Sequence, residues 1–297
     1  MGIRVESVGL FENREGSVKT ALELIKRAAE PCIKSQTRYD REDIGVLVSV
    51  TVYRDDYFCE PSFANFVQRD LQINHTAESV HGPKTLSFDL LNGAVGFLNG
   101  CELSSAMIRA GKAKAGLVVS GDMVDHEINE SGAPVGFCFT GAAMLLGEDP
   151  DNGAGFDSFF FKTFPDSQEA YESYVFFENK RWSMMFDKDP AIEKIYLDTI
   201  SRGVFEFLTR EGVGIDSFDL ILPPQISPGF VSSLPEYLGV DRDKIVDVSR
   251  EDGDLFGASL PTAMAKVLEK GLAAPGQKAL IISVGSGVQV GCATYNF

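Results

Sequence analysis

FDLLNGAVGFLNGCELSSAMIRAGKAKAGLVVSGD, residues 88–122, decides how the rest of the chain is read. It opens inside a short strand pattern, Thr85 to Leu90. Gly93 to Arg109 then carries helical spacing and closes at Gly111, a residue suited to the left-handed turn that ends helices. Gly116 to Ser120 (GLVVS) is a short apolar, β-branched run of the kind found in strands buried on both faces. Strand, glycine turn, helix and buried strand in this order predict a wound α/β protein.

The same alternation continues on both sides. Ile3 to Leu10 predicts a strand, and Ser17 to Ala29 a helix with Ala21, Leu24, Ile25 and Ala28 on one side. Ile44 to Val50 predicts a second buried strand. Pro61 stands where a first helical turn would begin, and Phe63, Phe66, Val67 and Leu71 continue an apolar face. A strand follows at Met144 to Leu146. Residues Glu148 to Ala154 (EDPDNGA) are acidic and turn-rich, the best boundary between an N-terminal half, 1–150, and a C-terminal half, 151–297. Beyond it come helices at Ala191 to Arg210, Phe230 to Leu238 and Ala258 to Glu269, the last with an early Pro261. A short strand lies at Leu220 to Leu222, and a closing hairpin runs from Leu280 to Tyr295 around Gly285-Ser286-Gly287. The two halves repeat their elements in similar order, which predicts a duplicated α/β unit.

Composition narrows the function. The 297 residues are 44% hydrophobic, enough for a sizeable core. Asp and Glu number 43 against 27 Lys and Arg, a net charge of −16. Such a surface disfavours nucleic acid, whose phosphates need a basic face, and anionic membranes. No stretch approaches the roughly 20 apolar residues of a membrane helix. The opening residues lack the apolar core of a secretory signal, and the five scattered cysteines read as reduced thiols, so a cytoplasmic location is expected. Three histidines without metal-ligand spacing predict no metal site, and no phosphate-loop or dinucleotide motif occurs.

Two groups of motifs carry a family resemblance. One is RDDYFCEPSFANFVQRDL (54–71) with the 88–122 stretch. The other is GDLFGASLPTAMAKVLEKG (253–271) with PGQKALIISVGSGVQVGCA (275–293), preceded by LILPPQIS (220–227). Together they resemble the ketoacyl synthase III branch of the thiolase superfamily. Within that branch they resemble the OleA type, which joins two acyl-CoAs head to head without decarboxylation. The resemblance implies a five-layered αβαβα fold of two duplicated halves and an obligate dimer. It also implies a Cys-His-Asn triad: a thiolate at a helix N-terminus takes the first acyl group, while His and Asn hydrogen-bond the second substrate's carbonyl.

All three triad positions depart from that pattern. Ala94 stands in the nucleophile's place, Pro224 in the histidine's and Asp254 in the asparagine's. Alanine has no nucleophilic atom, proline neither donor nor base, and an anionic aspartate would repel an enolate. The family's CoA-contacting segment between first strand and first helix is also cut short, to Phe11-Glu12-Asn13-Arg14-Glu15-Gly16.

One functional residue survives. Glu60 lies where OleA carries a glutamate, a place usually held by phenylalanine in ordinary ketoacyl synthase III. In OleA it crosses the dimer interface as the base that removes the α-proton of the second acyl-CoA. The resemblance therefore implies a heterodimer in which this chain gives Glu60 to a triad-bearing paralogue. Its likeness is to the B subunit of the heterodimeric lipstatin-pathway enzyme of β-lactone biosynthesis. Long-chain acyl-CoA would be the substrate, with no resident cofactor. Two alternatives stand beside it: a non-catalytic scaffold subunit, and a stand-alone acyltransferase with a relocated thiol.

Plainer readings accompany the remaining candidates. Glu60 also suits a helix N-terminus. Cys101, seven residues after Ala94, Cys59 and Cys138 fit core packing better than catalysis. Gly285-Ser286-Gly287 reads as a tight turn, not a phosphate cradle. His126 is isolated. Trp182 fits packing as well as a substrate passage, and Val175-Phe176-Phe177 with Met184-Met185-Phe186 fits a core as well as an acyl channel.

Overall fold

The computed structural model describes residues 2–297 except 56–57, 76–81, 83, 124–135, 152 and 179, with backbone alone at 178 and 181–183. The N-terminal half contains β1 (Ile3–Glu12), α1 (Ala21–Lys34), β2 (Ile44–Ser49), α2 (Phe63–Asp70), β3 (Leu86–Asp89), α3 (Gly96–Arg109), β4 (Ala115–Ser120) and β5 (Thr140–Glu148). The C-terminal half contains β6 (Gly155–Thr163), β7 (Tyr171–Glu178), β8 (Arg181–Lys188), α4 (Ile192–Glu211) and β9 (Leu220–Leu222). It ends with α5 (Pro228–Leu238), α6 (Ser259–Lys270), β10 (Lys278–Gly285) and β11 (Gln289–Asn296).

Nine strands join in the order β3-β2-β4-β5-β1-β6-β11-β10-β9. The duplication lies in that order. In each half a first strand (β1, β6) pairs antiparallel with the last (β5, β11). The last pairs antiparallel with its predecessor (β4, β10), which pairs parallel with an earlier strand (β2, β9). The halves meet at Ile3 opposite Phe156.

Alternation sorts the strands' side chains between layers. Leu47, Leu117, Val119, Ala143 and Leu145 face α1 and α2 in one outer core. Val46, Val48, Val118, Met144, Ala279 and Ile281 face α3 and α6 in the central core. Leu280, Ile282, Val290 and Cys292 face α4 and α5 in the other outer core. Helices, sheet, helices, sheet, helices is the five-layered arrangement expected. Strands buried on both faces explain why the sequence shows unbroken apolar runs there.

The structure moves several boundaries. Helix α2 begins at Phe63, with Pro61 two residues before it, and α3 begins at Gly96, which leaves Ala94 in the preceding turn. The stretch at 148–154 turns directly into β6. Asp149 accepts from the backbone N–H of Gly153 at 2.9 Å and of Ala154 at 3.0 Å, so its acidity serves the turn and its carboxyl stays below the usual range. Strands β6, β7 and β8 were not foreseen. The apolar cluster at 175–186 lies on the separate β7–β8 hairpin, where Met184 and Phe186 enter the core while Val175 and Phe177 remain exposed.

Candidate functional site

Ala94, Pro224 and Asp254, 160 residues apart at their extremes, line one cavity. Ala94 and Pro224 sit on turns at the ends of strands, and Asp254 on an isolated bridge ahead of α6. Ala94 follows β3, in a turn fixed by Asn92 Nδ2, which donates to Asn99 Oδ1 and Gln289 Oε1 at 2.7 Å each. Gly285 of the closing hairpin approaches that turn so closely that a Cβ there would stand 3.2 Å from Val95 Cγ2 and 3.5 Å from the Ala94 nitrogen. Its glycine serves close packing, as the tight-turn reading expects.

Pro224 follows β9. Beside it the buried Gln225 donates to the carbonyls of Pro223 and Val246 at 2.9 Å and accepts from Val248 N–H at 2.8 Å, locking the turn. Asp254 lies on a short bridge with Phe137: Cys138 N–H donates to the Asp254 carbonyl at 2.8 Å, and Asp254 N–H to Gly136 at 2.7 Å. Gly253, at φ 148°, allows this approach, since a Cβ would meet the Gly136 oxygen at 2.5 Å.

The cavity measures about 30 Å³, room for one or two waters. Aromatic rings occupy the surrounding space. Phe137 stacks on Tyr53 at 5.3 Å and lies 4.7 Å from Phe256, and Phe186 lies 5.3 Å from Tyr53. Phe256 adopts a left-handed backbone, φ 45°, which costs a non-glycine residue about 1–2 kcal/mol. The packed ring offsets that cost. Tyr171 and Tyr196 complete the wall, and the Tyr53 and Tyr171 hydroxyls hydrogen-bond at 2.9 Å.

Electrostatics match a closed site. Burial pushes the Asp254 carboxyl up to about 6, while Phe256 N–H, donating at 2.7 Å, and the charge of Lys188 at the cavity wall pull it down. Burial likewise raises the Tyr171 and Tyr196 phenols. Among the described residues no thiol lines the cavity. Cys101 is fully buried in the central core and burial drives its thiol strongly upward, so it is no displaced thiolate. Cys138 is half-buried, bonds to the Gly253 carbonyl at 3.1 Å, and its thiol is pushed up to about 12.

Glu60 lies elsewhere. It is exposed, outside the cavity wall, on the turn just ahead of α2. Asp89, the last residue of the edge strand β3, holds the start of that helix by accepting from Phe63 and Ala64 N–H at 2.7 and 2.8 Å. Exposed Cys59 adjoins it, Trp182 is described by its backbone alone, and His126 lies outside the described residues. Between β1 and α1 only residues 13–20 intervene, so the front segment is short as expected.

The aromatic filling went unforeseen. Phe137, Phe256, Phe186, Tyr53, Tyr171 and Tyr196 meet through pairings of distant segments, which no local periodicity encodes. Among the described residues no group of three or more His, Cys, Asp or Glu could hold a metal ion, and no helix is long and apolar enough to cross a membrane.

Comparison with known proteins agrees with this architecture. Residues 208–297 match the family model described as 3-oxoacyl-(acyl-carrier-protein) synthase III C terminal. The beta-ketoacyl-(acyl-carrier-protein) synthase III of Clostridium perfringens is 24% identical over 311 aligned positions, covering 98% of this chain and 87% of the relative. That of Rickettsia bellii is 21% identical over 280, covering 94% and 84%. The crystal structure of 3-oxoacyl-(acyl carrier protein) synthase III, FabH, from Pseudomonas aeruginosa superposes with a TM-score of 0.83 at 19% identity, covering 100% of this chain and 98% of that one. A variant of Xanthomonas campestris OleA with bound lauric acid and lauroyl-CoA superposes at 0.79 and 15% identity, covering 100% and 99%. The C-terminal segment 208–297 is thus similar to ketoacyl synthase III, and the whole chain has the mixed α/β thiolase-like fold of these structures.

Proposed function

We propose that this chain is the base-donating subunit of a heterodimeric acyl-CoA condensing enzyme whose Cys-His-Asn triad resides in a paralogous partner. One observation carries the reading: the three triad positions converge on a cavity of about 30 Å³ with no thiol among its described lining residues, while Glu60 stands exposed on the turn before α2, whose start is held by Asp89 of the sheet's edge strand β3. An unpaired edge strand presents N–H and C=O groups to another chain. Leu86 on β3 and Leu91 just beyond it are 53% and 55% exposed, so the strand that ends the sheet among the described residues has apolar side chains in solvent.

The chemistry requires a base. The partner's thiolate attacks the first acyl-CoA, the acyl–sulfur bond breaks, and CoA leaves as a thiolate that takes its proton from water. The second acyl-CoA has a weakly acidic α-carbon; Glu60 carboxylate takes its proton, and the enolate forms under the partner's hydrogen-bond donors. The α-carbon then attacks the acyl-enzyme carbonyl, a carbon–carbon bond forms, and the cysteine thiolate departs. The product is a 2-alkyl-3-ketoacyl-CoA. Lauroyl-CoA bound to OleA supports acyl-CoA as the substrate class. The charge of −16 disfavours capture of polyanionic CoA by this chain alone.

The test is to mix the purified chain with a triad-bearing paralogue and follow condensation of lauroyl-CoA. Activity only in the mixture, lost with Glu60→Ala, supports the proposal. Full activity with Glu60→Ala would leave a scaffold role in its place.

A further inference from the structure

We propose that Arg54 and Asp89 are positioning residues for Glu60, an inference that rests on its reading as the donated base. The turn that carries Glu60 hangs between two fastened points. On its N-terminal side a short run is tied down at several points. Val52 and Tyr53 N–H donate to Asp122 Oδ1 at 2.8 and 3.0 Å. Asp55 accepts from Ala21 and Leu22 N–H at the start of α1, at 2.6 and 3.3 Å. Phe58 N–H donates to the Asp55 carbonyl at 3.1 Å, and its ring meets Phe66 of α2 edge-on at 5.0 Å.

On its C-terminal side, Asp89 holds Phe63 and Ala64. Arg54 joins the two sides: its Nη1 lies 2.5 Å from Asp89 Oδ2, and its guanidinium lies 5.8 Å from the centre of the Phe63 ring. The Arg54 and Asp89 side chains are only 8% and 13% exposed. Burying an ion pair costs desolvation, and helix α2 has Ser62 at its N-cap position, yet no Ser62 side-chain bond caps the helix and its Oγ is buried with no partner among the described residues. The cap that is used ties the helix start to β3 and to Arg54, and so fastens the chain on both sides of Glu60. A base that acts on a substrate in another subunit needs that: a misplacement of about 1 Å can cost on the order of 10²-fold in rate.

The experiment uses the reconstituted pair with lauroyl-CoA and its α-dideuterated form. Arg54→Lys and Asp89→Asn are expected to lower kcat about 10- to 100-fold. KM and partner affinity should stay within twofold, and the deuterium isotope effect on condensation should rise as proton removal becomes slower. In a Glu60→Ala background neither substitution should lower the residual rate further, because residues that act as a unit are not additive. Wild-type kcat in both variants, with Glu60→Ala inactive, overturns this inference and leaves the base reading standing. Losses that persist unchanged in the Glu60→Ala background overturn it too, as a purely structural effect. Full activity of Glu60→Ala overturns the base reading and this inference together. Arg54→Lys keeps the charge opposite Asp89, so it serves where Asp89→Asn fails to fold.

Discussion

The closed cavity and the Glu60 turn treat their functional positions in opposite ways. Around Ala94, Pro224 and Asp254 the backbone frame is retained, including the Gln225 lock, the Gly253 approach and the Gly285 contact. No thiol stands among the described lining residues, and aromatic rings fill the space. At Glu60 the carboxylate is present and exposed, and effort goes into anchoring the segments on either side of it. A fold that had merely decayed would have no reason to anchor one former functional position while filling another. The contrast fits a division of labour between two chains.

The largest way to break that contrast is Glu60→Ala in the reconstituted pair. Loss of a general base should lower condensation about 10²–10⁴-fold, read as product formed per minute from lauroyl-CoA. An unchanged rate would make both regions equally idle. Next comes Asp122→Ala, which strips a buried acceptor from Val52 and Tyr53 N–H and from Ser120 Oγ. Unsatisfied buried donors should cost about 2–4 kcal/mol, measured by urea denaturation; a loss below 0.5 kcal/mol (about a tenth of a small domain's stability) would show that the anchoring is slack.

Asp254→Asn tests the cavity by pH. The Asp254 carboxyl is raised to about 6, above the roughly 4 of an unfolded chain. Between those values the unfolded state has released its proton while the folded state retains it, so Asp254 costs stability increasingly as pH rises from about 4 to about 6. Asparagine keeps the oxygen that accepts from Phe256 N–H. It should therefore gain about 1–2 kcal/mol at pH 7.5 and almost nothing at pH 4, seen in paired denaturation curves. Equal gains at both pH values would contradict the raised carboxyl. The smallest expected effect is that of Ala94→Cys. A thiol restored to a cavity of about 30 Å³ should take no lauroyl group, so intact mass after incubation with lauroyl-CoA should be unchanged. A stable acyl adduct would show that the cavity opens.

Much of this was legible in the residues. Runs such as IGVLVS and KALIISVG marked strands buried on both faces, and the motif order placed three turns that do converge. Strands β7 and β8 alternate only loosely, and their apolar residues split between core and solvent, so their pattern resembled a channel lining. Strand β6 was hidden because its acidic approach reads as a boundary, whereas Asp149 spends that acidity on closing the turn. The filled cavity was illegible for a different reason. Phe137 reaches it only because residues 136–138 pair with 253–254, a contact between segments more than a hundred residues apart. Helix α2 started late because Asp89, distant in sequence, supplies its cap.

The aromatic filling also works as a ratchet. Removing one large buried ring typically costs 3–5 kcal/mol, and a folded protein commonly holds only 5–15 in reserve. Restoring a cysteine at 94, a histidine at 224 and an asparagine at 254 would yield nothing until several of those rings had gone. Each ring lost on the way would erode the fold before any activity returned. On the function proposed above, single substitutions would therefore lead away from self-sufficiency far more easily than back to it, because the packing that fills the cavity is also packing that stabilises the fold.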